Sequence, residues 1–181
     1  MLGSLATVPA LERPDLLAEP VRAALAVLDD PRVLVAEIEP DLADTAAFCA
    51  AYGVAPEQSA NCVVVAGRRG ETTTLAACVV LATTRADVNG LVRRRLEARK
   101  ASFAPMDTAV RATGMEFGGI TPVGLPEGWP VLVDPAVAAQ PWVVVGSGLR
   151  RSKLVLPGAL VAALPGAEAV DGLGVVVRIP D

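Results

Sequence analysis

Short runs of apolar, mostly β-branched residues recur along this sequence and predict strands, which limits the folds that the chain can adopt. Two runs, at residues 60–66 and 72–83, stand on either side of a Gly-Arg-Arg-Gly turn and predict a β-hairpin. Later strands are predicted at 131–134, 142–146, 152–156 and 174–179, and helices at 20–28, 41–52, 87–99, 105–113 and 157–164. Because these elements do not alternate strictly as strand, helix, strand, we predict a single α/β domain with a mixed, partly barrel-like sheet surrounded by helices.

Length and charge narrow the class of protein. The chain has 181 residues, which suits one domain, and its apolar runs fall well short of the roughly 20 residues that span a bilayer. The first basic residue is Arg13, so the start of the chain does not resemble a signal peptide, and we expect a cytoplasmic protein without membrane contact. The formal charge of −4 disfavours nucleic-acid binding by bulk charge but allows a local basic surface.

The absence of histidine is a strict chemical constraint. It excludes Ser-His and Cys-His catalysis and imidazole metal ligands. The three cysteines, Cys49, Cys62 and Cys78, form no Cys-x-x-Cys pair, which favours buried thiols over a disulfide or a metal site. We therefore expect no metal and no cofactor, and any activity should survive chelation.

Two glycine-containing motifs are the best candidates for a ligand site. Gly118 and Gly119 are followed by Pro122, and such a loop lets the backbone approach a ligand closely and leave in a fixed direction. Gly146-Ser147-Gly148 follows an apolar strand, where binding residues often lie.

Two polar residues near these motifs have alternative interpretations. Asp134 ends the strand predicted at 131–134 and precedes Pro135, so it either caps a helix or supplies a carboxylate to a site. Ser147 would need a base to act as a nucleophile, and Lys153 is the nearest candidate, although no motif supports such a pair.

The order of these segments resembles the YbaK/EbsC family, the prolyl-tRNA-synthetase-associated editing domains that hydrolyse mischarged aminoacyl-tRNA. Residues 58–65, 115–125, 131–134 and 144–148 carry the resemblance. It implies the family's fold and an aminoacyl-tRNA editing domain at residues 41–181, with residues 1–40 as an N-terminal extension packed on it. The implied partner is the 3′ end of aminoacyl-tRNA and the implied role is translation fidelity, and a homodimer is possible.

The resemblance also implies site residues. The glycine loop would shape the pocket for the aminoacyl group, and the segment after the later strand would line it: Gly118, Gly119, Thr121 and Pro122, with Gly146, Ser147 and Gly148. Asp134 would act as a catalytic carboxylate that orients a water or the ribose. Asn61, followed by Cys62, stands where the family typically has a lysine followed by serine or threonine.

The asparagine at this position leaves three outcomes open. Asn61 can donate and accept hydrogen bonds but supplies neither a positive charge nor a titratable amine. Backbone amides and the substrate can carry the chemistry, Lys100 or Lys153 can enter the pocket from another segment, or the site only binds. If the site has lost its amine, Asn61→Lys is expected to raise hydrolysis.

Basic residues form groups that suit the phosphates of an acceptor stem, provided that the groups surround one pocket mouth. The candidate tRNA-binding residues are Arg93, Arg94, Lys100, Arg150 and Lys153. The alternative for residues 93–95 is a solvated helix face. Aromatic residues are few, which favours recognition of one terminal adenosine over a long single strand, and the main candidates are Phe103, Phe117, Trp129 and Trp142.

Two functions remain open from the sequence. The first is an aminoacyl-tRNA deacylase, a hydrolase that acts in trans on mischarged tRNA and uses pocket size as a second sieve. The second is a non-catalytic binding protein that retains the editing pocket for an aminoacyl or nucleotide ligand. Whether an amine reaches the glycine loop discriminates between them.

Overall fold

A computed structural model describes residues 2–176 of the chain. The strands are β1 (Thr7–Pro9), β2 (Leu34–Glu37), β3 (Ala60–Arg69), β4 (Thr72–Leu81), β5 (Thr84–Ala86), β6 (Lys100–Phe103), β7 (Val131–Val133), β8 (Val143–Gly146), β9 (Ser152–Leu156), β10 (Ala167–Ala169) and β11 (Gly174–Val176). The helices are α1 (Glu19–Leu28), α2 (Thr45–Tyr52), α3 (Arg93–Arg95), α4 (Met106–Thr113), α5 (Pro135–Ala138) and α6 (Gly158–Val161), and a π-helical segment (Val88–Val92) runs directly into α3.

The long β3–β4 hairpin and the β2–β9 pair form the centres of two sheets. β4 pairs antiparallel with β3 and parallel with β7, within a five-stranded sheet of order β10-β7-β4-β3-β6. The second sheet has the order β1-β2-β9-β8 and is antiparallel throughout, and β5 pairs with β11. This mixed arrangement confirms the predicted α/β class.

Within residues 2–176, part of one edge of β3 is not paired with another strand, and the cleft lies beside this part. On the side away from β4, β6 pairs with β3 only at residues 65–68. β8 contacts the same edge at a single parallel bridge between Ser59 and Val144. Residues 60–63 lie between these two pairings, and the cleft described below occupies the space beside them.

One apolar core joins the two large sheets, and the first forty residues contribute to it. Leu16, Val21 and Leu25 are buried in the same cluster as valines and leucines from β4, β7, β8 and β9. β2 is an inner strand, between β1 and β9. The first forty residues therefore share one core with the rest of the chain. The division into an N-terminal extension and an editing domain near residue 41 remains a prediction.

Most of the predicted elements are present with shorter bounds. The helix expected at 87–99 ends at Arg95, and the Asp87 side chain caps its start by accepting two backbone N–H groups. β5 and β10 have no counterpart among the predicted elements, since three residues are too few to show an alternating pattern. The last predicted strand is seen as β11, and its residues 177–179 lie outside the described residues. No helix in the described part is long and apolar enough to cross a membrane.

Candidate active site

A cleft of about 580 Å³ lies beside the gap between β3 and β8. β8 and β9 form the wall facing β3, and the start of α2, the start of α4 and the glycine loop complete the lining. Six of the candidate residues line it: Asn61, Cys62, Gly118, Gly146, Arg150 and Lys153. Three segments that are far apart in the sequence therefore meet at one cavity.

Asn61 lies half-buried on the β3 wall. Its side-chain carbonyl accepts a hydrogen bond from the Thr45 hydroxyl, with 2.5 Å between Oγ1 and Oδ1. Thr45 is the first residue of α2, so this bond ties the helix to the strand. Since the side-chain carbonyl is already engaged, the part of the Asn61 side chain that can bind a ligand is its amide N–H groups.

Lys153 supplies the amine of the cleft. It lies on β9, paired with Gly146 of β8, and is only 8% exposed. Its Nζ donates a hydrogen bond to the Ala43 carbonyl at 2.9 Å and lies 5.3 Å from the centroid of the Phe48 ring. Burial lowers the pKa of Lys153 below its usual value, and the Arg150 charge lowers it further. No carboxylate within residues 2–176 forms an ion pair with it.

Arg150 is the second cation of the cleft. Its guanidinium donates hydrogen bonds to the carbonyls of Phe117 at 3.3 Å and Pro40 at 3.1 Å. Its backbone N–H donates to a Glu116 carboxylate oxygen at 2.7 Å, which joins the glycine loop to the segment after β8. The guanidinium itself has no carboxylate partner in the described part of the chain.

Of the glycine loop, only Gly118 and Ile120 line the cleft. Gly118 has a φ of +86°, which favours glycine. The Gly119 N–H is already bonded to the Glu116 carbonyl at 2.9 Å, so it is not available to bind a substrate carbonyl. A Cβ at Gly146 would lie 2.3 Å from the Gly119 carbonyl oxygen. The close packing of the two backbone segments therefore explains why glycine is needed at positions 119 and 146, and the approach of a ligand is not required.

Four other candidates near the loop lie behind the cleft lining: Gly148, Ser147, Thr121 and Pro122, all buried. The Gly148 N–H bonds to the Gly119 carbonyl at 2.7 Å. Ser147 is fully buried, with its hydroxyl 2.7 Å from that of Ser152, while the Lys153 amine bonds elsewhere. The structure thus contradicts a Ser147–Lys153 pair. The Thr121 hydroxyl has no hydrogen-bond partner among residues 2–176.

Asp134 does not line the cleft, contrary to the position expected of a catalytic carboxylate. One carboxylate oxygen accepts the Ala136 N–H at 2.8 Å and caps α5. The other accepts the Gly174 N–H at 2.6 Å, at the start of β11. Both oxygens hold the backbone in place, which favours the capping interpretation.

Three of the predicted tRNA-binding residues lie outside the cleft lining: Arg93, Arg94 and Lys100. Arg93 donates to the Asn89 carbonyl of its own helical segment, and Arg94 is exposed. Lys100 begins β6 directly opposite Arg68 of β3. Two like charges facing each other across a strand pair repel, so this edge of the sheet favours a polyanion nearby.

The cleft also contains residues that sequence reasoning assigned to other roles or missed. Burial, and secondarily Cys78, raises the pKa of the Cys62 thiol, so Cys62 is unsuited to act as a thiolate nucleophile. Asp44 and Thr45 also line the cleft. Asp44 directly precedes α2, a position that indicates only a cap in the sequence, and Thr45 begins the helix. Within residues 2–176, no group of three or more cysteine or acidic side chains is arranged to hold a metal ion.

Comparisons with known proteins agree with this architecture. The family model described as an aminoacyl-tRNA editing domain matches residues 39–163. A crystal structure of a protein described as a candidate trans-editing enzyme for prolyl-tRNA synthetase is 23% identical, covers 85% of this chain and 94% of that chain, and superposes with a TM-score of 0.71. A crystal structure of a hypothetical protein is 20% identical, covers 86% and 99%, and has a TM-score of 0.73. The search of curated proteins returned no match.

Proposed function

The chain belongs to the family of aminoacyl-tRNA editing domains, and from this membership we propose that it is an aminoacyl-tRNA deacylase. The reaction is hydrolysis of the ester that joins an amino acid to the 3′ end of tRNA. A cytoplasmic location is part of this proposal. A homodimer also remains a prediction.

The buried Lys153 amine is the observation that carries the proposal. A buried cation without a carboxylate partner destabilises the fold unless a ligand compensates its charge. In ester hydrolysis, negative charge develops on the carbonyl oxygen as water adds to the carbonyl carbon. Lys153 and the Asn61 amide, which line the same cleft, are donors suited to that oxygen.

Water and the leaving group also need partners. Among the described residues, Asp44 is the one carboxylate that lines the cleft, and we assign it the role of proton acceptor. As the bond between water oxygen and carbonyl carbon forms, Asp44 takes a proton from the water. When the ester bond breaks, that proton passes to the ribose oxygen, which leaves as a hydroxyl.

The chain offers a matched pair of variants to test this proposal, because Lys100 and Lys153 are its only lysines. Lys153→Met should reduce deacylation of a panel of mischarged tRNAs about 100- to 1000-fold, the usual loss when an oxyanion donor is removed. Lys100→Met, which changes an exposed lysine outside the cleft, should retain the wild-type kcat at saturating tRNA, because a contact between Lys100 and a tRNA phosphate would change KM alone. Asp44→Asn should also lower kcat.

Two results would contradict the deacylase proposal or the mechanism assigned to it. If wild type hydrolyses no member of the panel while it binds an uncleavable aminoacyl-adenosine amide, the chain is a non-catalytic binding protein. If Lys153→Met retains full activity, the oxyanion is stabilised by other donors, and the assigned mechanism is wrong.

A further inference from the structure

Three large apolar side chains are exposed on the rim of the cleft. Phe103 ends β6 and is 59% exposed, Met106 begins α4 and is 53% exposed, and Phe117 precedes the Gly118 turn and is 55% exposed. Clustered exposed apolar side chains mark a binding surface, because they contribute little to the core. Of the strongly exposed aromatic residues in the described part, only Trp142 lies outside this rim.

A cation contacts the backbone of one of these aromatic residues. The Arg150 guanidinium bonds the Phe117 carbonyl and passes so close to Gly118 that a Cβ there would lie 2.5 Å from Nη1. Both of its hydrogen-bond acceptors are neutral carbonyls, of Phe117 and Pro40. Its charge is therefore available to an anion, and guanidinium groups bind phosphate well.

We propose that Phe103 and Phe117 stack on the terminal base of the tRNA 3′ end while Arg150 contacts the phosphate of the same nucleotide. This inference rests on the proposed function and adds the site for the nucleotide. Rings on the rim provide faces for a base, and such stacking is tolerant of base identity. Lys153 and Asn61 lie deeper in the cleft than these rings. When the base is bound at the rim, the aminoacyl ester on the attached ribose therefore lies near these two donors.

The charges around the rim favour a nucleotide over an apolar side chain of a protein partner. β6, which carries Phe103 at one end, begins with Lys100 opposite Arg68. Neither of these basic residues has an ion-pair partner within residues 2–176. Along a four-residue strand the two ends are about 10 Å apart, a distance over which the phosphates of preceding nucleotides can reach them.

The test uses variants that remove a ring but keep an apolar side chain. Phe103→Leu and Phe117→Leu are compared with Trp142→Leu, which removes an exposed ring outside the cleft. Each protein is titrated with AMP and with ribose 5-phosphate by NMR, and kcat and KM are measured with a mischarged tRNA. A thermal melt of each variant checks that it folds.

Each phenylalanine variant should raise the Kd for AMP and the KM for tRNA about 5- to 100-fold, with kcat within about twofold of wild type. Binding of ribose 5-phosphate should not change, and Trp142→Leu should change none of these values. If wild type hydrolyses the tRNA but KM is unchanged in both phenylalanine variants, or if wild type does not bind AMP, the base site is refuted and the rim belongs to a protein partner. If AMP binding weakens as expected but wild type hydrolyses nothing, the base site stands and the deacylase proposal fails.

Discussion

The Thr45 hydroxyl and the Asn61 side-chain carbonyl are joined by a 2.5 Å hydrogen bond that lies between two cavities. Together with Asp44, these two residues line the cleft on one side and a second cavity on the other. Small apolar residues line the rest of the second cavity, among them Ala46, Cys49, Ala50, Val54, Pro56 and Ala82. We therefore predict that the bonded pair acts as a partition that limits the size of the ligand in the cleft.

Thr45→Val should weaken this partition, because it keeps the shape of the side chain but removes the hydroxyl. Asn61 then loses its anchor, and we expect deacylation of larger amino acids to rise relative to smaller ones. The free energy of unfolding should fall by about 1 kcal/mol, as for the loss of one hydrogen bond. Rates across a panel of amino acids of graded size measure the first effect and urea unfolding the second. Thr45→Ser keeps the hydroxyl and serves as the control, and an unchanged size preference in Thr45→Val would argue against a partition.

Lys153→Met should not destabilise the protein at neutral pH. Burial lowers the pKa of Lys153, so between the lowered pKa and its usual value of 10.5 the unfolded chain binds more protons than the folded one. Wild-type stability therefore rises with pH through that window, and below it the fold bears the full penalty of a buried charge. Asp44 partly offsets this penalty, whereas Arg150 adds to it. Burial raises the pKa of the Cys49 thiol, so Cys49 is uncharged at neutral pH and does not compensate the amine there.

Melting curves of wild type and Lys153→Met from pH 6 to pH 10 measure this effect. The variant should melt at or above the wild-type temperature at pH 6 to 7, and its advantage should shrink as the pH rises. A large loss of stability at pH 7 would instead identify Lys153 as a structural residue.

Asn61→Lys should lower hydrolysis rather than raise it. The expectation from sequence assumed a site without an amine, but Lys153 and Arg150 already line the cleft. A third cation there repels both and breaks the bond to Thr45. In a Lys153→Met background the repulsion from Lys153 is absent, so Asn61→Lys should restore part of the activity. Deacylation rates of the two single variants and the double variant test this. If the double variant is no more active than Lys153→Met, a lysine at position 61 on β3 cannot replace the amine that Lys153 supplies from β9.

Leu16→Ala should destabilise the whole domain. Leu16 is 1% exposed in the main core, and its carbonyl accepts the Ser152 hydroxyl at 2.6 Å, close behind the cleft. Truncating a buried leucine typically lowers the free energy of unfolding by about 2–5 kcal/mol. Leu11→Ala, at a 44% exposed position, is the control. Urea unfolding that shows separate transitions for the first forty residues and the rest would contradict a shared core.

The family and the class of fold were predictable from local sequence. The hairpin β3–β4 and strands β8 and β9 each contain a run of apolar residues that includes valine and needs little context to become a strand. The resemblance to the editing domains is confirmed by the match at residues 39–163. The site was predictable only in part. Asn61, Gly118, Arg150 and Lys153 were singled out and line the cleft, whereas Asp134 was placed there and instead caps α5.

By itself, the sequence determined where the longer strands run and that histidine chemistry is excluded, since both follow from residue type and local spacing. Tertiary structure alone decided which lysine enters the cleft. Lys100 and Lys153 both begin or lie within strands, but β6 is an edge strand that leaves Lys100 in solvent, while β9 is an inner strand that buries Lys153 beside Phe48. The two outcomes differ because burial depends on which strands flank a residue, and pairing between distant segments is not encoded in local pattern.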